Sequence, residues 1–129
     1  MEDSGTGSPK TAPHPARPAT AMDVLSAARE LVAKEGGWTQ RHYARGADGT
    51  YADFNHKKAV CFCTLGALYR VGLPEPSALN DAESLLLKAA GVENIVVWND
   101  APGRTQADVV ALFDAAIASL RAALSKAGV

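Results

Sequence analysis

The feature that most restricts the fold of this chain is a long amphipathic repeat near its C-terminus, preceded by a strong helix start. Thr105-Gln106-Ala107-Asp108 has the form of a capping box, in which a hydroxyl and a carboxylate satisfy free backbone N–H groups. Apolar residues then recur at helical spacing: Val109, Leu112, Phe113, Ala116, Ile117, Leu120 and Leu124. Because such a face must be covered by other elements, the sequence predicts a packed helical domain.

Three further segments show the same helical spacing between a start signal and a stop signal. They run from the cap Thr20 to Gly36-Gly37, from about Lys58 to Val71, and from the cap Ser77 to Gly91. The second is apolar on most sides, which is typical of a central, buried helix. Gly66 in its middle costs about 1 kcal/mol relative to Ala, so we expect another helix to approach closely there. The sequence therefore predicts a mainly α, small single domain of about four helices.

Two stretches between the predicted helices are less regular. Residues 38–57 carry separated aromatic side chains and the tight-turn signal Asp48-Gly49, so this region forms either an irregular aromatic loop or a short hairpin between helices 1 and 2. The apolar run Ile95–Trp98 leads into an Asn99-Asp100 turn. Ala101-Pro102-Gly103-Arg104 then suits a type II turn, with Gly103 at positive φ.

The composition divides the chain into two parts. Residues 1–20 contain four of the prolines together with Gly, Ser, Thr and Ala, and we expect a disordered Pro/Ala-rich tail because little of it can be buried. Residues 21–129 are expected to form the single helical domain, which suits a chain of 129 residues.

Charge and cysteine usage narrow the partners and the location. A net charge of −1 argues against nucleic acid, which requires a basic patch, although several cations could still meet in space: Arg29, Arg41, Arg45, Lys57, Lys58 and Arg70. No window approaches the ~20 apolar residues of a membrane span, and the N-terminus does not resemble a secretory signal, so no membrane partner is expected. Cys61 and Cys63 lie too close for an ordinary disulfide, which favours reduced thiols and a cytoplasmic location.

Cys63 is the first candidate for chemistry. Its predicted position in the opening turn of the central helix would favour the thiolate, because free N–H groups and the helix dipole lower a thiol pKa. A cysteine nucleophile also needs a base and an orienting group, and the candidates are His42, His56, Asn99 and Asp100. The alternative is a core cysteine, since free Cys is among the residues most often buried.

A zinc site is a second possibility that the sequence supports poorly. His42, His56, Cys61 and Cys63 are acceptable zinc ligands. However, two cysteines separated by one residue on a helix point about 200° apart, and no second cysteine pair exists to complete a tetrahedral site. We therefore predict no metal and no cofactor.

Two loops combine aromatic, amide and charged side chains that suit recognition. Their candidate binding residues are Trp38, Gln40, Tyr43 and Arg45 in one loop and Trp98, Asn99, Asp100 and Arg104 in the other. Asn99 and Asp100 can instead shape a turn through bonds to nearby backbone N–H groups, and Asp100 can pair with Arg104 or Arg45. The turn and recognition interpretations are compatible.

With these motifs identified, roughly residues 22–121 resemble a family of small, uncharacterised bacterial and phage-associated proteins, a domain of unknown function. The resemblance rests on Gly37-Trp38-Thr39-Gln40, Tyr43-Ala44-Arg45, Asp48-Gly49, Cys61–Leu68, Trp98-Asn99-Asp100 and Thr105-Gln106-Ala107-Asp108-Val109 to Phe113-Asp114. Members typically carry a Cys-Ala-Leu-Gly-Ala-Leu helix, so Cys63 is the matching cysteine, and Thr64 replaces the usual Ala in what we expect to be an inconsequential change. The resemblance implies a small accessory protein and brings no activity with it.

Two function hypotheses follow. The first is a small non-enzymatic accessory domain that binds a protein partner or a small ligand through the loops Trp38–Arg45 and Trp98–Arg104. The second is a cysteine-dependent hydrolase or acyl transferase with Cys63 as the nucleophile, which requires a partly exposed thiol and a histidine within hydrogen-bond reach. The sequence leaves the oligomeric state and the identity of the partner open.

Overall fold

A computed structural model describes residues 20–127, which form five helices and a small sheet. In chain order the elements are α1 (Ala21–Ala33), β1 (Ala44–Gly46), β2 (Tyr51–Ala52), β3 (Ala59–Phe62), α2 (Thr64–Gly72), α3 (Pro76–Ala90), α4 (Ile95–Asn99) and α5 (Gln106–Lys126). The predicted disordered tail, except for Thr20, lies outside the described residues. The prediction of a mainly α architecture is confirmed, while the helix count and the sheet differ from it.

The core lies between α1, α2, α3 and α5. Helix α5 buries most of the apolar face that its sequence predicts, with Phe113 fully buried, but Leu124 at the end of that face is exposed. Helix α1 packs against α5 and contributes the buried Leu25 and Val32 to the core. Helix α2 contributes Leu68 and α3 contributes Leu86, both fully buried. Burying each side chain of this size contributes about 1.5–3 kcal/mol, so this four-helix contact is the main source of stability.

Most of the predicted helix ends are confirmed. Thr20 caps α1 by accepting a bond from the N–H of Asp23, and the complete capping box of Thr105 and Asp108 opens α5. Gly91 ends α3 in the left-handed conformation. The predicted cap at Ser77 is wrong: α3 begins at Pro76, whose fixed φ suits a first helical position, and no side chain caps it.

The prediction that residues 58–63 belong to the central helix is also wrong. Residues Ala59–Phe62 form strand β3, and α2 begins only at Thr64. Strand β3 is paired on both sides: β1 bonds to one edge, and an isolated parallel bridge joins Phe62 to Trp38 on the other. Tertiary pairing of this kind overrides local helical spacing, because a strand is stabilised by partners that are remote in sequence.

The aromatic region forms the short hairpin rather than an irregular loop. Strands β1 and β2 are antiparallel with Arg45 opposite Tyr51, and the connection contains Gly49 at φ +83°. Asp48 stabilises the turn by accepting bonds from the N–H and hydroxyl of Thr50. Hydrogen bonding to Thr50 is also the main reason that the pKa of Asp48 is lowered. With β3 the hairpin completes a three-stranded antiparallel sheet in the order β2-β1-β3.

The short apolar run before the Asn-Asp turn is a helix, α4, which accounts for the extra helix. Asn94 caps it by accepting bonds from the N–H groups of Val96 and Val97. Asn99 is its last residue. The following type II turn is confirmed, with Gly103 at φ +82° and the N–H of Arg104 bonded to the carbonyl of Ala101.

Candidate functional site

Asn99 is a fully buried polar side chain at the end of α4, and it joins three remote parts of the chain. Its Oδ1 accepts bonds from Nε1 of Trp38 at 2.8 Å, from the backbone N of Thr64 at 2.9 Å and from Oγ1 of Thr64 at 2.7 Å. The loop after α1 and the start of α2 are therefore both fastened to α4 through one amide oxygen. A buried group with this many partners is costly to remove, because each partner would lose its bond away from water.

The nitrogen of the same amide, Nδ2, is also bonded within the chain. Nδ2 of Asn99 donates to the carbonyl of Thr39 at 3.2 Å and to Oδ1 of Asp100 at 3.0 Å. The groups facing Oδ1 include two N–H donors and those facing Nδ2 are acceptors, so only one orientation of the amide satisfies them. An aspartate at this position would face the Thr39 carbonyl and Asp100 without a donor.

Hydrogen bonds between side chains and backbone groups extend this arrangement along the loop. Nε2 of Gln40 donates to the carbonyls of Asn99 and Ala101, and the N–H of Arg41 donates to Oδ1 of Asp100 at 2.9 Å. Arg41 has a φ of +74°, a conformation that costs a residue with a side chain about 1–3 kcal/mol unless its surroundings impose it. We call residues 38–41, Thr64 and residues 99–101, with the bonds among them, the Asn99 network.

The two candidate arginines are occupied by structural contacts. Arg104 donates from Nε to the carbonyl of Trp98, and its guanidinium lies 3.9 Å from the centre of that indole. Arg45 donates to Oγ1 of Thr39 and to the carbonyl of Gly49. The expectation that Asp100 pairs with Arg104 or Arg45 is therefore wrong.

A close backbone approach fixes the start of α2 against the hairpin. The N–H of Cys63 donates to the carbonyl of Tyr43 at 3.1 Å, and a Cβ placed on Gly66 would overlap that same carbonyl. The neighbour that requires glycine here is therefore the backbone ahead of β1, and the expected second helix is not the cause.

A pocket of about 430 Å³ opens beside the Asn99 network, between the hairpin and the start of α2 and α4. Its lining residues are Arg41, His42, Tyr43, Tyr51, Cys63, Val96 and Asp100. The pocket and the network share Arg41 and Asp100, so the bonds that stabilise the loops also position part of the pocket wall.

Cys63 is the N-cap of α2 and is only 3% exposed. Its Sγ accepts a bond from the N–H of Gly66 at 3.2 Å. Burial raises the pKa of the Cys63 thiol and the negative charge of Asp100 acts in the same direction, whereas the N–H groups of Gly66 and Leu65 lower it by less. The helix N-terminus was expected to favour the thiolate, but desolvation outweighs it here.

The candidate catalytic residues are only partly brought together. Cys63, His42 and Asp100 line the same pocket, and within residues 20–127 no hydrogen bond joins the His42 ring to Sγ. The His42 ring instead packs on Tyr51, with ring centres 5.1 Å apart. His56 lies in a second cavity of about 620 Å³ at the hairpin, where its Nδ1 accepts a bond from the N–H of Lys58. Asn99 has no free polar atom with which to orient a base.

The eight candidate binding residues divide into two groups. Tyr43 and Asp100 line the pocket. The other six make the internal contacts described above: Trp38, Gln40, Arg45, Trp98, Asn99 and Arg104. Tyr51 and Val96 were not predicted for the site, and Arg41 was considered only as part of a basic patch and of the loop Trp38–Arg45. The hairpin register could have indicated Tyr51, because an Asp48-Gly49 turn places it opposite Arg45.

Thr64 has a role that the sequence did not predict. Its replacement of the usual Ala is not inconsequential, because its hydroxyl is one of the donors to Asn99. The start of α2 is therefore joined to Asn99 by the side chain of Thr64 as well as by its backbone N–H.

Within residues 20–127, no group of three or more His, Cys, Asp or Glu side chains lies close enough to hold a metal ion, and none of the helices is long and apolar enough to cross a membrane. Two of the cations considered for a basic patch have separate contacts: Arg29 pairs with Asp114 at 2.6 Å, and Arg70 donates to the carbonyls of Phe54 and His56.

Comparison with known proteins gives one match. No curated protein and no solved structure is similar enough to the chain to be matched with it. A family model matches residues 16–119, a range that includes every residue of the Asn99 network and of the pocket. The chain belongs to this family, which is described as a family of unknown function (DUF6197).

Proposed function

We propose that this protein is a binding domain for a small ligand, and that the ligand occupies the pocket beside the Asn99 network. The observation that carries the proposal is the coincidence of a pocket of about 430 Å³ with polar groups that the fold leaves unbonded. Ligand pockets commonly measure about 300–1,000 Å³ and combine apolar walls with a few polar groups.

The carboxylate of Asp100 is the first of these polar groups. Both of its hydrogen bonds, from Arg41 N–H and from Asn99 Nδ2, end on Oδ1. In the part of the chain that the structure describes, Oδ2 has no hydrogen-bond partner. A ligand donor can therefore bond to Oδ2 without displacing a structural contact.

The walls supply contact area for an apolar or aromatic group. Tyr51 is 59% exposed and Tyr43 40%, so both rings are accessible to a ligand. Val96 and the neutral thiol of Cys63 add apolar surface. The Asn99 network holds Asp100 in place before a ligand arrives, and such preorganisation reduces the entropy lost on binding.

A cysteine-dependent enzyme is the second candidate, and one observation favours it: Cys63, His42 and Asp100 line one pocket. The raised pKa of the thiol and the bond from Gly66 to Sγ weigh against it, because a nucleophile requires an accessible thiolate. Alkylation of Cys63, described in the Discussion, distinguishes the two candidates.

The proposal can be tested with two adjacent valines of α4. Val96 lines the pocket, whereas Val97 is 67% exposed and does not line it. Amide spectra would be recorded during titration with phenol, benzyl alcohol and indole. We expect saturable shifts at residues 41–43, 51 and 63, weaker binding in Val96→Ala, and wild-type binding in Val97→Ala.

Two results would contradict the proposal. One is that no probe shifts the pocket amides in a saturable way. The other is that the two valine variants change the affinity equally, which would mean that the probes bind outside the pocket.

A further inference from the structure

The pocket is lined by one acidic residue, Asp100, and one arginine, Arg41, which do not form an ion pair with each other. Among residues 20–127 the ion pairs all involve Arg29, so Asp100 and Arg41 have none. The Arg41 side chain also makes no hydrogen bond in this part of the chain, and Oδ2 of Asp100 is unbonded. Two opposite charges thus line one small pocket while each still lacks a partner.

The Asn99 network holds both residues in this arrangement. The Arg41 backbone lies in the left-handed region, and its N–H bond to Oδ1 of Asp100 helps to maintain that conformation. Nδ2 of Asn99 fixes the same Oδ1 from the other side. Backbone strain that persists beside a pocket is commonly associated with a functional site.

The remaining lining is aromatic or apolar. It consists of the contacting rings of His42 and Tyr51, tilted by 51° to each other, with Tyr43, Val96 and Cys63. The negative charge of Asp100 helps to raise the pKa of the Cys63 thiol, so the charge acts on groups that line the pocket. A ligand must therefore offer a cationic group, an anionic group and an apolar body.

From this combination of groups, and resting on the proposed function, we infer that the pocket binds a small zwitterion with an aromatic or branched apolar body, of which the α-amino acids are the chemical class. The ammonium bonds to Oδ2 of Asp100 and the carboxylate to the guanidinium of Arg41. The apolar side chain packs against the rings. A purely cationic ligand would be repelled by Arg41 and a purely anionic one by Asp100, whereas a zwitterion matches both charges.

The test compares four probes that share a phenyl ring and a two-carbon chain: L-phenylalanine, 2-phenylethylamine, 3-phenylpropanoate and 2-phenylethanol. Dissociation constants would be measured by amide-shift titration for the wild type, Asp100→Asn and Arg41→Gln. Arg121→Gln, on the exposed end of α5, is the matched control.

We expect the wild type to bind phenylalanine about tenfold or more tightly than either singly charged probe, which is the effect of one added charge-assisted hydrogen bond. Asp100→Asn should weaken phenylalanine about tenfold and leave 3-phenylpropanoate unchanged or improved. Arg41→Gln should weaken the binding of phenylalanine and leave the binding of 2-phenylethylamine unchanged. Arg121→Gln should match the wild type.

The other outcomes are also decisive. Equal binding of all four probes would overturn the zwitterion inference and leave the proposed function standing. Tighter binding of one singly charged probe than of phenylalanine would overturn it in favour of that charge. Binding of none would contradict both the inference and the proposed function.

Discussion

The Asn99 network and the pocket beside it are built from neighbouring loops of similar composition, yet they use their polar atoms in opposite ways. In the network, Asn99 and Gln40 direct their amides to groups of the same chain. In the pocket, Oδ2 of Asp100 and the Arg41 guanidinium have no partner within residues 20–127. Residues of similar chemistry in the sequence therefore differ in whether their polar atoms are bonded within the chain, and the hydrogen bonds of the structure show which are.

The comparison also explains why the two regions lie together. The network stabilises the left-handed backbone of Arg41 and the orientation of the Asp100 side chain. Both residues also line the pocket. A substitution within the network should therefore change stability and binding together, whereas a substitution confined to the pocket should change binding alone.

The largest expected effect comes from Asn99→Ala. This change leaves the Trp38 indole N–H, both Thr64 donors and the Thr39 carbonyl without their buried partner, and we expect a loss of about 3–5 kcal/mol in the free energy of unfolding. Asn94→Ala is the control: it removes an exposed cap and should cost about 1 kcal/mol. Equal losses in urea unfolding would mean that the Asn99 network is not a major stabilising feature.

Gly66→Ala should have the next largest effect. The added methyl group overlaps the Tyr43 carbonyl, which cannot retreat without breaking its bond to Cys63 N–H, and we expect a loss of about 2–3 kcal/mol. In Gly91→Ala the added methyl group has open space around it, and only the positive φ causes strain. We therefore expect a loss of about 1 kcal/mol in the free energy of unfolding. Thermal unfolding of both variants compares them. If Gly66→Ala unfolds at the wild-type temperature, the Tyr43 carbonyl does not lie as close to Gly66 as described.

The reactivity of Cys63 gives a smaller contrast, measured as a rate. Its folded-state pKa is raised, so the thiol stays protonated past the value of about 8.5 at which an unfolded cysteine ionises. The stabilisation from burying the neutral thiol is thus complete below that pH and declines as the pH rises further. At pH 8 we expect iodoacetamide to modify the half-buried Cys61 first, and Cys63 only when urea is added.

The opposite order of labelling would change the functional conclusion. If Cys63 reacts before Cys61 at pH 7 in the native protein, its thiol is activated. The cysteine-enzyme candidate would then replace the binding proposal.

Local signals in the sequence predict the helices well. The caps at Thr20 and Thr105 and the left-handed Gly91 are encoded within four residues of each helix end, so no tertiary knowledge is needed. Strand β3 could not be predicted in this way. Its residues form a strand because β1 and the Trp38 backbone pair with it, and neither contact is visible in the local pattern.

The candidate site was predicted in part. Of the predicted binding residues, Asp100 and Tyr43 line the pocket, and their role in binding stays a prediction. The assignment of Asn99 and Trp38 to recognition could not anticipate that they bond to each other across 61 positions of the chain. Local pattern gives the chemistry of each side chain, but its partners depend on how the loops pack.

The contrast between the fully bonded amide of Asn99 and Oδ2 of Asp100, which is unbonded within residues 20–127, is tested most directly by exchanging amide and carboxylate at these two adjacent positions. Asn99→Asp removes a buried donor and adds a buried charge, and we predict a loss of about 3–5 kcal/mol in urea unfolding. Asp100→Asn keeps an Oδ1 that accepts both existing bonds, and we predict a change of about 1 kcal/mol or less. Similar losses in the two variants, or a larger loss for Asp100→Asn, would contradict the account.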